Sequence, residues 1–490
     1  MLTRLKISGF KSLVDVDVHF GPFTCIAGAN GVGKSNLFDA IRFLSLLANS
    51  TFAEAAATIR DEDGKTGDIR TLFHRRGETT VPVMKFEAEM IVPRFGMDDL
   101  NLSAEASITF LKYQLELALR EPGQGPSFNP IQLIKEDLDR INLKDAYKKL
   151  RFPLKRPTWG KSVLHGRKTT PFISTTNESE KIKIKLRQDG SGGLPRTYLA
   201  EELPRTVISG VNAAESPTAL IAKREMQAWR LLQLEPSALR NSDDFLTRPG
   251  LGAKGEHLPA TLYHLSRKSA QQTETENGDS RFFESISARL SELVEDVERV
   301  WIERDEKRQQ FTLMVQDRNG TAHPARALSD GTLRFLALAA IESDPEMKGM
   351  ICLEEPENGI HPDRIGPMLA LLEDIAVDTE EPVDEDNPLR QVIINTHSPA
   401  VVRRVPEDSL LVAEAREGME GENRFTQTEF RWLKDTWRAK HHKDVPPLAL
   451  GTLLAYLDPG FPREDAQESA VRRVGQRKDL RQMTLPLLNQ

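Results

Sequence analysis

Eight residues, GANGVGKS from Gly28 to Ser35, restrict the fold of this chain more than any other stretch. They follow the short apolar run FTCIAG, which suits a central strand. They precede NLFDAIRFLSLLA, where Leu37, Ile41, Leu44 and Ala48 recur at helical spacing. The loop itself fits G-x-x-x-x-G-K-[ST]. Glycines let backbone N–H groups curl around phosphate oxygens, and the N-terminus of the following helix adds its positive dipole end. Lys34 would neutralise phosphate charge and the Ser35 hydroxyl would ligate Mg²⁺. Gly28, Asn30, Gly31, Gly33, Lys34, Ser35 and Asn36 are therefore the expected nucleotide contacts. A tight glycine turn with a surface lysine is the plain alternative, and the strand–loop–helix setting counts against it.

A second stretch supplies acids. In GMICLEEPENGIHP (349–362) an apolar run ends in the adjacent Glu354 and Glu355. Buried like charges repel, so such a pair normally shares a cation or a proton. With a phosphate loop in the same chain, the expected cation is nucleotide-bound magnesium. Glu354 would hold it through water, and Glu355 would polarise the water that attacks the γ-phosphate. An acidified helix start accounts for Glu357 better than for the pair.

Two further stretches belong with these. ALSDGTLRFLALAAI (327–341) has a Ser329-Asp330-Gly331 turn leading into an apolar helix, and QVIINTHSPAVV (391–402) is an apolar strand ending at Asn395-Thr396-His397-Ser398. Taken alone, each is a capped helix start or a strand-end histidine. In this order and spacing the set resembles the ABC-type ATPase heads of the RecF, SMC and OLD proteins. More narrowly it is similar to bacterial AAA-family ATPases related to OLD and RecF, in which Glu-Pro-Glu-x-Gly-x-His-Pro follows the carboxylate strand. LKISGFKSL near the start and GLGAKGEHLPATLYHL (250–265) resemble the same group, so the likeness covers about residues 1–90 and 250–410. It implies an α/β, ABC-type P-loop ATPase head split by a large inserted α+β or helical lid region. ATP and Mg²⁺ are the implied cofactors, and Glu355 and His397 the implied catalytic residues. Two heads would pack head-to-tail, as a homodimer or higher oligomer. Ser329 and Gly331 of one would then touch the γ-phosphate held by Lys34 of the other.

Two departures from that group bear on rate. Glu354 stands where Asp is usual, which moves the magnesium-side oxygen by about an ångström and implies slow turnover. No Q-loop glutamine is evident either; RTLFHRRGE (70–78) occupies the expected place and offers His74.

Composition sets the remaining limits. A chain of 490 residues is too long for one simple core. Expected divisions are 1–100 (first half of the head), 101–325 (insert), 326–415 (second half), 416–462 (C-terminal helices) and 463–490 (flexible tail). In the fourth, Phe430, Leu433 and Trp437 mark one amphipathic helix and LALGTLLAYL another. RFFESISARLSELVEDVERVWIE reads as one helical patch, and sustained heptads are missing, so no long coiled coil is expected. Cys25 and Cys352 lie in apolar runs and read as buried thiols of a cytoplasmic protein. No 18-residue apolar run argues for a membrane partner.

The segment after His397 lacks the spaced acidic cluster of a Toprim nuclease module, and Cys/His metal spacing is absent throughout. ATP hydrolysis is the only chemistry legible here, and any cutting would come from a separately encoded effector or nuclease. A net charge of −7 confines DNA binding to local patches. The best one is 144–168, with nine Lys/Arg against one Asp, including Lys148, Lys149, Arg151, Lys155 and Arg156. Tyr147, Phe152 and Trp159 lie between them as stacking residues, and Lys181, Lys183, Lys185 and Arg187 share one face of an expected strand. Two solvated faces are the plain alternative. At the C-terminus, Gln482, Leu485 and Leu487 in QMTLPLLNQ resemble the short motif by which bacterial proteins dock on the polymerase sliding clamp.

The leading expectation is an ATP-driven DNA sensor or clamp controlling a separate effector in antiphage defence. The alternatives are a slow-turnover scaffold that holds a partner toxin or nuclease silent, and a RecF-like repair factor.

Overall fold

The computed structural model describes residues 1–457 apart from 60–67, 78, 121–129, 190–192, 274–277, 422 and 442–444. Three strands open the chain: β1 (Leu2–Phe10), β2 (Leu13–His19) and β3 (Phe23–Ala27), followed by helix α1 (Lys34–Leu47). Then come β4 (Val83–Ile91), β5 (Phe110–Leu119), β6 (Ile131–Arg140), β7 (Ile173–Glu178), β8 (Lys181–Leu186) and β9 (Arg196–Leu199). Helix α2 (Pro217–Gln227), strand β10 (Arg230–Leu232) and helices α3 (Leu258–Thr273) and α4 (Gly278–Leu293) precede the hairpin β11 (Val297–Asp305) and β12 (Gln310–Asp317). The chain continues through α5 (Asp330–Ser343), β13 (Gly349–Glu354), α6 (Ile365–Ile375), β14 (Arg390–Thr396), β15 (Leu410–Glu420), β16 (Asn423–Arg431), α7 (Trp437–His441) and α8 (Leu450–Leu457).

Two sheets organise these elements. A six-stranded sheet runs β10-β13-β14-β3-β15-β16, parallel except for the final β15/β16 pair. Parallel strands need cover on both faces. Met350, Ile351, Cys352 and Leu353 of β13 and every residue of β14 are accordingly buried. One face packs α5 and α6; α1 belongs to the core cluster on the other side. The second sheet is antiparallel, with eight strands in the order β9-β8-β7-β6-β5-β4-β1-β2. It alternates buried and solvated residues in the manner of a half-covered sheet, as in Leu111, Tyr113, Leu115 and Leu117 on the inner face of β5.

Both sheets draw strands from either side of residue 100, and β10, within the stretch expected as an insert, is an integral strand of the parallel sheet. Locally, two expectations change. Phe430 belongs to strand β16, so the helix begins only at Trp437. The long helical patch breaks after Leu293, where the chain turns into β11. The longest described helices, α3 and α4, have 16 residues each, and no described helix is long and apolar enough to cross a membrane.

Candidate nucleotide site

The parallel strands end on one side of the sheet, and the expected residues converge there. A cleft of about 470 Å³ is lined by Asn30, Gly31, Gly33, Lys34, Ser35 and Asn36 from the loop after β3. It is also lined by Glu354, Glu355 and Asn358 after β13, by Asn395 at the end of β14, and by Gln233 and Arg334. Register places them together: Glu354 pairs with Asn395 across β13/β14, and Asn395 with Ile26 across β14/β3. The crevice beyond the carboxyl ends of parallel strands is where open α/β sheets hold ligands.

The loop conformation depends on its glycines. Gly33 has φ 98°, and a Cβ there would sit 2.0 Å from the Thr428 hydroxyl oxygen. That hydroxyl is fixed by donating to Val32 O at 2.9 Å, so the β16 strand braces the loop from outside. Asn36 turns inward, its amide donating to the Ser12 hydroxyl at 2.7 Å. Lys34 is buried and its ammonium donates to Gly28 O and Ala29 O at 2.6 and 2.8 Å. Burial lowers its affinity for the proton, opposed by Glu355, Glu357 and Glu354.

Glu355 is held more tightly than a strand-end acid requires. Its backbone N–H donates to both Asn395 O (3.1 Å) and Asn395 Oδ1 (3.0 Å), with φ at 43°, a left-handed conformation rare outside glycine. The Asn358 amide donates to one carboxylate oxygen at 2.8 Å, and His397 Nδ1 meets the other at 2.7 Å. Burial alone would raise the carboxyl's pKa. The Asn358 and His397 hydrogen bonds, with His397 and Lys34 charge, hold it below the usual range instead. Glu355 is therefore ionised at neutral pH. Glu357 differs: it is buried behind the cleft against the Thr396 hydroxyl, and burial pushes its pKa up.

Ser329 and Gly331 do not line this cleft. Ser329 is the exposed N-cap of α5, its hydroxyl accepting from Thr332 N at 3.2 Å, and Gly331 packs toward Gly359 O. His74 is also elsewhere: it is buried, bonded through Nδ1 to Lys11 O at 2.7 Å and edge-on to Phe425. The glutamine that reaches the cleft is Gln233, directly after β10, in the adjacent place beside the carboxylate strand. Its sequence signal was the short apolar run at Leu231-Leu232 before Gln233, stopped by Glu235-Pro236. That run is too short to register as a strand without its parallel neighbour.

The basic stretch at 144–168 is less open than its composition suggests. Phe152 and Trp159 are fully packed in a small core with Trp437, so they are not stacking platforms. Tyr147 is half-buried beneath the Arg156 guanidinium, 4.7 Å from its ring centre. Lys149 is ion-paired with buried Glu89, and Arg151 is half-buried beside Arg4 and Asp17. Lys148, Lys155 and Arg156 remain exposed. On β8, Lys183 and Lys185 both pair with Glu178. Gln482, Leu485 and Leu487 lie outside the described residues.

The family described as "AAA domain, putative AbiEii toxin, Type IV TA system" matches residues 117–403, more than half of the chain, and a second AAA-domain family matches 4–90. Over 80 residues the chain is 39% identical to the DNA replication and repair protein RecF of Magnetococcus marinus, covering 16% of this chain and 19% of that protein. Over 41 residues it is 46% identical to an OLD nuclease of Thermus scotoductus, 8% of each chain. The matched segments thus span a fifth or less of these relatives. Among solved structures, an Smc head bound to the C-terminal winged-helix domain of ScpA is 14% identical at a TM-score of 0.44, covering 88% of this chain and 98% of that one.

Proposed function

The chain belongs to the AAA-domain family that matches residues 117–403; from that premise we propose that it is an ATPase of the RecF, SMC and OLD class and hydrolyses ATP in a site completed by a second copy of itself. One observation carries this reading. Lys34, Ser35, Glu354, Glu355 and Gln233 share a single cleft, while Ser329, the residue expected to meet the γ-phosphate, is exposed and does not line it. A hydroxyl and adjacent N–H groups at a helix start suit an incoming phosphate, and an exposed one suits a phosphate held by a partner.

The Ser35 hydroxyl and Glu354 carboxylate are hard oxygen donors, and no described group of three or more His, Cys, Asp or Glu could hold a metal unaided. Few protein donors completed by phosphate and water is the arrangement Mg²⁺ favours. Such an ion would offset charge on the phosphates. The remaining work falls to this chain. Lys34 binds phosphate, Glu355 accepts a proton from the attacking water, and His397 and Asn358 hold Glu355 in place.

On this reading, closing and opening of the dimer would gate a separately encoded effector in antiphage defence, with DNA as the signal. Its support is the RecF and OLD likeness, the toxin–antitoxin wording of the family description and the exposed Lys148, Lys155 and Arg156. The test is phosphate release by the full chain with Mg²⁺ and ATP, with and without duplex DNA across a salt series. Hydrolysis per chain that rises with protein concentration supports a shared site. Hydrolysis proportional to protein at every concentration argues for a site complete in one chain. DNA stimulation that survives Lys148→Ala, Lys155→Ala, Arg156→Ala unchanged removes that patch from the reading.

A further inference from the structure

Helix α5 carries a second cation toward the cleft. Arg334 stands one turn in from Asp330 and lines the same space as Lys34, Ser35, Gln233, Glu354 and Glu355. Its guanidinium is half-buried, and its Nε is buried with no hydrogen-bond partner among the described residues. The neighbouring acids are engaged elsewhere: Asp330 is bonded by Arg240, and Glu357 by the Thr396 hydroxyl. A buried N–H left unmade is costly, the more so on a charged group, and here the unmade donor belongs to a side chain that lines the cleft. Burial lowers the Arg334 pKa, opposed by the charges of Asp330 and Glu357. A guanidinium presents a planar fork of donors, and its best complement is an anion with several oxygens, phosphate above all.

We propose that Arg334 is a phosphate ligand in cis, its fork on the terminal phosphate of the nucleotide that Lys34 of the same chain holds. This rests on the nucleotide reading of the cleft and adds to it a coupling device. Ser329 caps the start of α5 and Arg334 lies five residues on, so one helix joins the outward-facing surface to the chain's own nucleotide. The helix is anchored at its far end too. Arg390, the first residue of β14, donates to Glu342 O at 3.0 Å and Asp344 O at 2.7 Å. Its first turn is tied to Arg240, which donates to Leu328 O at 3.1 Å and pairs with Asp330, so a contact at Arg334, one turn further in, bears on how Ser329 is presented. Nucleotide state at one site thereby biases presentation of Ser329 to the other, and by linkage the reverse.

The test is titration of nucleotide into the full chain with Mg²⁺, comparing wild type, Arg334→Ala and Arg334→Lys with ATP and with ADP. The expected result is an ATP affinity at least tenfold weaker in Arg334→Ala, with ADP affinity changed less than threefold and part of the loss recovered in Arg334→Lys. Retained ADP binding serves as the control for folding. ATP and ADP weakened equally, or neither weakened, overturns the assignment. If wild type binds neither nucleotide, the reading of the cleft itself fails, a result distinct from any behaviour of the variants.

Discussion

Glu355 shows how much geometry one side chain can require. A non-glycine residue at φ 43° costs of order 1 kcal/mol or more, sustained here by the two acceptor oxygens of Asn395 that clamp its N–H. What that turn accomplishes is direction: the carboxylate leaves the strand axis and meets Asn358 and His397. Glu355→Gln keeps the shape and removes the proton acceptor. Its turnover should fall by two or more orders of magnitude while ATP binding stays within a few-fold, and the ATP-bound dimer should accumulate. Lys34→Ala should lose ATP binding itself. Single-turnover hydrolysis and sedimentation with ATP separate the two; wild-type turnover in Glu355→Gln would remove Glu355 from the catalytic role. Because neighbours hold the Glu355 pKa low, deprotonated Glu355 persists through neutral and mildly acidic pH, so no acid limb in turnover should arise from this group until below the usual carboxylate range.

At the scale of elements, the phosphate loop, the carboxylate strand and helix α5 were legible because each carries its own punctuation: glycines, a run of apolar residues ended by acids, a Ser N-cap. Gln233 and Arg334 were not. Their positions depend on β10 pairing with β13 and on the rotation of α5, which are tertiary facts with no local pattern. Phe430 was misread for a related reason. Its spacing to Leu433 and Trp437 suits a helix, but strand pairing with Ala413 places it in β16. Another element-level feature, equally silent in sequence, is Glu136 on β6. It is wholly buried, accepts hydrogen bonds from Val207 N (2.6 Å), Ile208 N (2.9 Å) and the Tyr113 hydroxyl (3.2 Å), and burial raises its pKa to about 7. The folded chain thus keeps a proton that the unfolded chain releases near pH 4.5. The stabilisation is full below that pH, declines as pH rises through about 7, and is then gone. Between pH 5 and pH 8, wild type should lose roughly 2–3 kcal/mol relative to Glu136→Gln. Urea unfolding of both proteins at the two pH values checks it, and parallel pH profiles would show that Glu136 titrates normally.

For the whole molecule, sequence indicated one head built from distant segments, because residues near 30, 330, 354 and 397 make chemical sense only together. It could not indicate that β4 to β9 continue the same antiparallel sheet as β1 and β2, since alternation marks a half-buried strand without naming its partner. Nor could it indicate that Phe152 and Trp159 close a core instead of facing a ligand. Ser329 is exposed and does not line the cleft, and this sets the most decisive test of the molecule. If the site is shared, Ser329→Arg should bind ATP normally as a single protein and hydrolyse almost none, because the lesion lies on the surface offered to the partner. Lys34→Ala fails for the opposite reason, holding no nucleotide but presenting an intact Ser329. A dimer with one chain of each kind contains one site with Lys34 from the first and Ser329 from the second, and one site doubly broken. At random exchange about half the dimers are mixed, each with one of two sites restored. Equimolar mixtures should therefore recover about a quarter of wild-type turnover if the two sites act independently, and none if both must fire together. Subunit exchange is followed by energy transfer between labelled chains, so that silence cannot be mistaken for failure to mix. Full exchange with no recovery, together with normal ATP binding by Ser329→Arg, leaves either strict two-site coupling or a site confined to one chain. A covalently linked dimer carrying Ser329→Arg in one half alone separates these: the confined site retains half of the wild-type turnover, and strict coupling retains none.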